Sequence, residues 1–156
     1  MDKENLAKLI LENEAQLYRI AKSILKSDQD CADAAQEAIA RAFEKLHTLR
    51  CDAYGKTWLI RILINECYRI LRKREREIFT REEWAYSSLK QEDFSSLYLA
   101  LLKLKAEFRV VLVLHYLEGF SVEEIARMLE ISEGTVKSRL YRGREKMRAL
   151  LSEEDL

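Results

Sequence analysis

Wherever this chain has a hydropathy pattern, its apolar residues recur at three- and four-residue steps. Leu6, Leu9, Ile10, Leu17, Ile20, Ala21, Ile24 and Leu25 form one such row, and Leu97, Leu101, Leu104, Phe108, Val111 and Leu112 form another. These steps gather side chains on one face of an α-helix, whereas a half-buried strand needs alternation at every second residue. Little interrupts the pattern, because the 156 residues contain no proline and only four glycines, the two strongest helix breakers. The chain is expected to be all-α.

The first row predicts one helix over about residues 6–25. Ser27 or Asp28 can cap a second, whose stripe is Cys31, Ala35, Ile39, Ala42, Phe43 and Leu46. Residues 48–56 break the period and include Gly55, so they read as a loop before a third long helix over 57–76. These elements make an N-terminal helical bundle over residues 1–76. Over 77–96 periodicity fails and charge is mixed, which predicts a flexible linker. A C-terminal domain over 97–156 opens with a helix whose pattern runs from Leu97 to Leu112 and stops at Glu118 and Gly119, and two helices follow over 121–130 and 132–151.

The formal charge is zero, with 27 basic and 27 acidic residues, so any nucleic-acid signal must come from how the charge is distributed. Lys137, Arg139, Arg142, Arg144, Lys146 and Arg148 stand against the single acid Glu145, and five bases between Arg69 and Arg76 stand against Glu75. Two basic stripes on a neutral chain point to two anion-binding faces. Cys31, Cys51 and Cys67 are odd in number with no close pair, which suits a reducing cytosol, and no segment approaches a membrane span. A cytoplasmic protein is expected. His47 and Cys51 lie four apart and His115 is a third potential ligand, but there is no second ligand pair, phosphate loop or nucleophile motif beside them. Neither enzyme activity, metal, cofactor nor small-molecule substrate is expected.

The segment from Phe120 to Arg142 carries the most specific signal. Ser121 and Glu124 form a capping box, Ile125, Ala126 and Leu129 face inward, Ser132 caps the next helix, and Val136 and Leu140 bury its inner side. Glu133, Thr135, Lys137, Ser138, Arg139 and Arg142 are left on the outer side. This is the layout of a helix-turn-helix, whose second helix enters the major groove.

At these residues the chain resembles the C-terminal promoter-binding domain of extracytoplasmic-function sigma factors. The resemblance rests on Tyr116, Glu118 and Ser121, on Glu124-Ile-Ala126, on Gly134-Thr-Val-Lys-Ser-Arg-Leu140, and on Arg142 and Arg144. Lys105 replaces the family's usual proline, Glu130 its usual turn glycine, and Gly143 its usual alanine. Glu130 is therefore expected in a left-handed conformation, and Gly143 is expected to cost the helix about 1 kcal/mol relative to Ala. The resemblance implies minus-thirty-five DNA contacts from Ser132, Glu133, Thr135, Lys137, Ser138, Arg139, Arg142 and Arg144.

The N-terminal half extends the resemblance. Asp30-Cys-Ala-Asp-Ala-Ala-Gln-Glu37 is similar to the family's polymerase-binding helix, which implies core-polymerase contacts from Asp30, Asp33, Gln36 and Glu37. Thr57-Trp-Leu, Asn65 and the basic run to Arg74 are similar to the family's minus-ten helix. That similarity implies DNA contacts from Tyr54, Trp58, Arg61, Asn65, Arg69, Arg72 and Lys73. Arg69 stands where the family usually has an acid, Trp58 suits a core position as well as a stacking surface, and Tyr54 can stack on a base or pack inward. The implied partners are promoter DNA, the beta-prime coiled coil and beta flap of RNA polymerase core, and an anti-sigma factor. A free-standing helix-turn-helix regulator with a sensing or dimerisation bundle is the alternative.

Overall fold

The computed structural model describes residues 1–76 and 96–154, and all the regular elements among them are helical. The linker expected over 77–96 lies outside the described residues except for Ser96.

The first apolar row forms two helices rather than one, α1 (Lys3–Glu12) and α2 (Glu14–Leu25). Asn13 separates them, because its side-chain amide donates to the Leu9 carbonyl at 2.8 Å and so competes with the helix ladder. The row still buries Leu6, Ile20, Ala21, Ile24 and Leu25. Ser27 caps α3 (Asp28–Glu44), as expected. The buried stripe of α3 differs from the expected one. It consists of Cys31, Ala34, Ala38 and Ala42, while Ala35 is half-buried and Ile39 is 37% exposed. Small side chains let the backbone of α3 close on α4, and this closeness decides which face turns inward.

The loop before α4 contains two short 3-10 turns, Leu46–Thr48 and Asp52–Tyr54, and α4 (Gly55–Arg76) starts at its glycine. A Cβ on Gly55 would stand 3.0 Å from Met1 Cε and 3.3 Å from Leu9 Cδ2, so the side chains of Met1 and Leu9 pack closely over this glycine. The Met1 ammonium pairs with Asp52 at 2.8 Å.

The second half begins with α5 (Ser96–Lys103) and α6 (Ala106–Leu112). The single helix expected there breaks at Leu104 and Lys105. Lys105 has φ −60° and ψ 147°, the angles that a proline favours. The chain thus turns as the family's proline would turn it, without the proline. A π-turn over Val113–Leu117 and a left-handed Gly119, φ +77°, lead into α7 (Val122–Leu129). The capping box forms, with the Glu124 N–H donating to Ser121 Oγ at 3.1 Å and the Ser121 N–H to Glu124 Oε1 at 3.0 Å. Ile125, Ala126 and also Met128 are buried, and Leu129 is half-buried. Glu130 takes the left-handed conformation, φ 57° and ψ 44°. The Ile131 N–H reaches back to the Ala126 carbonyl at 3.1 Å, the closure that glycine usually provides. The last helix, α8 (Glu133–Glu154), carries Gly143 on its buried side. A Cβ there would meet Leu112 Cδ1 at 3.0 Å and Cγ at 3.2 Å, so this glycine makes room for α6 as well as weakening the helix.

The two halves pack on each other, α2 against α6 and α4 against α7. Arg109 of α6, 3% exposed, donates to the carbonyls of Ser23, Ile24 and Leu104. Lys26 Nζ donates to the Leu102 carbonyl at 2.7 Å, and Arg19 meets Glu118 with two hydrogen bonds, 3.0 and 2.9 Å. No pattern in the sequence anticipates this contact, because each pair that joins the halves spans the linker.

Candidate nucleic-acid interface

The recognition helix α8 is anchored at both ends of its first turns. Ser132 Oγ accepts the Thr135 N–H at 3.1 Å, while Val136, Leu140 and Met147 are buried on the inner side. Glu133, Lys137, Ser138, Arg142 and Arg144 are exposed, and Thr135 and Arg139 are half-buried. Tyr141 is 61% exposed, one turn after Lys137 and on the same face. Sequence reasoning overlooked Tyr141, although its four-residue spacing from Lys137 would have found it. Arg144 donates to Tyr116 Oη at 2.9 Å, so it leans toward the π-turn rather than straight outward.

The second basic face lies on α4. Arg61, Asn65, Arg69, Arg72 and Lys73 are exposed. Trp58 is half-buried and packs against the core, whereas Tyr54 is 56% exposed at the end of the second 3-10 turn. Arg69 does not simply face outward. It pairs with the buried Glu66 and comes within 4.0 Å of Glu37, while Glu66 also pairs with Arg41. The basic row of α4 is thereby tied to the acidic side of α3.

On α3, Asp33, Gln36 and Glu37 are exposed together. Asp30 does not join them. It is 2% exposed and accepts two hydrogen bonds from Arg74, 3.0 Å from Nε and 2.7 Å from Nη2. Its role in the fold is to hold the end of α4 to the start of α3. Cys31 and Cys67 are buried and Cys51 is exposed, all as free thiols. Burial pushes Cys31 up to about 12 and Cys67 higher still, so both stay protonated at neutral pH. His115 Nδ1 pairs with the Phe120 carbonyl at 2.8 Å and shapes the turn into α7.

Two known sequence patterns cover this geometry half by half. Sigma-70 region 2 matches residues 9–77, and sigma-70 region 4 matches residues 94–147. RNA polymerase sigma factor SigV of Bacillus subtilis is 32% identical over 155 residues, which is 97% of this chain and 93% of SigV. The chain belongs to the sigma-70 family. ECF RNA polymerase sigma factor SigM of Mycobacterium tuberculosis is likewise 32% identical, over 96% of this chain and 79% of its own length. Among solved structures, sigma factor RpoE in complex with the anti-sigma factor NepR, from Bartonella quintana, has a TM-score of 0.75 at 26% identity, covering 96% of this chain and 98% of that one. CnrH in complex with the cytosolic domain of CnrY has a TM-score of 0.74 at 27% identity, covering 97% of this chain and 90% of that one. This ECF sigma factor is therefore a transcription initiation factor rather than an enzyme. Among its described residues no helix is long and apolar enough to cross a membrane.

Proposed function

We propose that the two basic faces divide promoter recognition between the two halves of the sigma factor. In this reading residues 1–76 bind core polymerase and read and melt the minus-ten element, residues 97–156 read the minus-thirty-five element, and residues 77–96 connect them. Arg61, Asn65, Arg72 and Lys73 contact minus-ten DNA, with Tyr54 and Trp58 beside them as aromatic surfaces for unstacked bases. Arg69 steadies Glu37 and Glu66 and reaches DNA only if those pairs open. Lys137, Ser138 and Tyr141 approach base edges, while Thr135, Arg139, Arg142 and Arg144 meet phosphates and Ser132 and Glu133 set the start of the helix.

The exposed ridge of Asp33, Gln36 and Glu37 is the contact for the beta-prime coiled coil, and the second half meets the beta flap. Asp30 supports this ridge from below through Arg74. The sigma factor acts in the cytoplasm, and the anti-sigma complexes of its structural relatives support control by an inhibitor of that kind here. The observation that carries the reading is an exposed polar ridge on α3 together with two basic faces, one on each half.

Run-off transcription with core polymerase and a promoter library tests it. Promoter-specific transcripts are expected only when core and sigma factor are both present. Tight, specific duplex binding by the sigma factor alone, unaffected by core, would instead favour a free-standing regulator.

A further inference from the structure

The C-terminal end of α7 covers the face of α4 just assigned to minus-ten DNA. Arg61 Nε lies 2.8 Å from Glu130 Oε1. Hydrogen bonds from Arg61 and, more weakly, Asn65 hold the Glu130 carboxyl below its ordinary range. One turn earlier, Arg127 sits over the ring of Tyr54 with its guanidinium carbon 5.5 Å from the centroid, within cation–π range. Trp58 lines the same cleft, which has a volume of about 530 Å³. Four of the groups proposed to meet minus-ten DNA are thus engaged or flanked by the helix-turn-helix of the other half.

We propose that Glu130 is an intramolecular latch that occupies the minus-ten face of the free sigma factor. Its carboxylate offers Arg61 and Asn65 the anionic oxygen acceptors that a DNA phosphate would offer, while Arg127 occupies the open face of Tyr54 where a base would stack. The closed form cannot read a promoter with both halves. The two elements lie about 25 base pairs apart, roughly 85 Å along B-DNA, whereas Arg61 and Glu130 are in direct contact. Opening must therefore precede or accompany promoter binding, and the latch sets part of its cost. The backbone supports this assignment. A glutamate is held left-handed at a position where glycine is the least strained residue, and its side chain leaves the turn to reach the other half.

This latch rests on the assignment of Arg61 and Asn65 to minus-ten DNA, and the test separates the two. The full-length protein is titrated, without polymerase, against a fluorescein-labelled mixed-sequence single-stranded DNA of about a dozen nucleotides. Interdomain distance is followed in parallel by single-molecule energy transfer between dyes on cysteines replacing Leu11 and Arg148, with Cys51→Ser. Glu130→Gly suits the left-handed backbone and removes the carboxylate, and Glu130→Arg turns attraction into repulsion. The expected gains in DNA affinity at low salt are about 3- to 10-fold for Glu130→Gly and more for Glu130→Arg, because apparent affinity scales with the open fraction. The open population should grow in step, and the ratio of variant to wild type should approach one as salt screens the pair. Arg61→Ala made in the Glu130→Gly protein should cancel the gain in affinity. If neither Glu130 variant enlarges the open population, the latch is wrong whatever the DNA does. If both open the protein but affinity does not rise, and Arg61→Ala is then harmless, the minus-ten assignment of Arg61 fails and the competition fails with it.

Discussion

Arg109 caps a helix that belongs to the other half of the molecule. From α6 its guanidinium donates to the carbonyl of Ser23 and, at 3.1 Å, to that of Ile24, two of the last carbonyls of α2. A helix C-terminus leaves such carbonyls without partners of its own, and a cation there also meets the favourable end of the helix dipole. Burial lowers the guanidinium to about 10, so it remains charged at neutral pH.

Arg109→Ala should destabilise the protein by about 3 kcal/mol, because it leaves buried carbonyls unpaired. Arg109→Lys should recover little of this, since a single ammonium cannot span three carbonyls in the plane of a guanidinium. Urea unfolding followed by circular dichroism measures both. A wild-type midpoint in Arg109→Ala would show that the two halves are not coupled through this residue.

The polymerase ridge predicts a different failure. Replacing Gln36 with Ala and Glu37 with Lys should weaken core binding without unfolding α3, because both side chains lie off the buried row. The new lysine will face Arg41 and Arg69, which lie 3.9 and 4.0 Å from the present carboxylate. Loss of these exposed contacts should cost at most about 1 kcal/mol of stability. Core affinity by fluorescence anisotropy is the measurement, and an unchanged value would move the ridge elsewhere.

Lys26 predicts a pH dependence. Burial, and then the charge of Arg109, lower its ammonium from 10.5 to about 8. Between those values the folded protein has released a proton that the unfolded chain still binds, so stability rises as pH increases from about 8. Above about pH 9 the buried thiols of Cys31 and Cys67 and the phenols of Tyr68 and Tyr98, all raised mainly by burial, act in the opposite sense. Thermal melts should show a shallow maximum near pH 9. Lys26→Met should abolish the rise and keep the fall, and a rise that survives would assign the linkage to another group.

Within the recognition helix, base readers and phosphate anchors should fail differently. Lys137→Ala should relax discrimination at one or two minus-thirty-five positions by about 1 to 3 kcal/mol, and Tyr141→Ala should do so at a neighbouring position. Arg144→Ala should weaken all sequences alike and reduce the salt slope by about one unit. Transcription from singly substituted promoters, with salt-titrated binding, separates the classes. An inverted outcome would rotate α8 in the groove.

Helix positions and caps were legible in the sequence because their signals are local. Ser27, Ser121, Glu124 and Ser132 act within three residues of themselves. The left-handed Glu130 was legible for the same reason, as a departure from a turn glycine. What escaped was the break inside each long apolar row, at Asn13 and at Lys105, and whatever was non-local or a matter of size. The period alone could not tell whether the alanines or Ile39 of α3 face α4, since both rows are apolar and only close backbone approach decides. Asp30 looked like a surface acid because its partner Arg74 lies 44 residues away. The Arg109 contact with Ser23 spans 86 residues, and Arg61 with Glu130 spans 69, across the linker. Exposure of the proposed site residues was mostly legible, whereas their engagement by the opposite half was not.

The alanine seam between α3 and α4 links what the two helices present to the outside. Helices packed through methyl groups lie at the short end of the usual 8 to 10 Å separation, and a close-packed seam resists sliding. Flanking this seam stand Asp33, Gln36 and Glu37 on α3 and Arg61, Asn65 and Arg72 on α4, with Arg69 and Glu37 within 4.0 Å of each other across it. In the proposed reading, clamping the first row onto polymerase also fixes the second row in the polymerase frame, to within the small play of a packed helix pair. In that reading the polymerase's own coordinate system is carried across the seam to the strand being opened. A bulkier residue at Ala34 or Ala38 would then shift where melting starts relative to the polymerase without touching a single DNA-facing side chain.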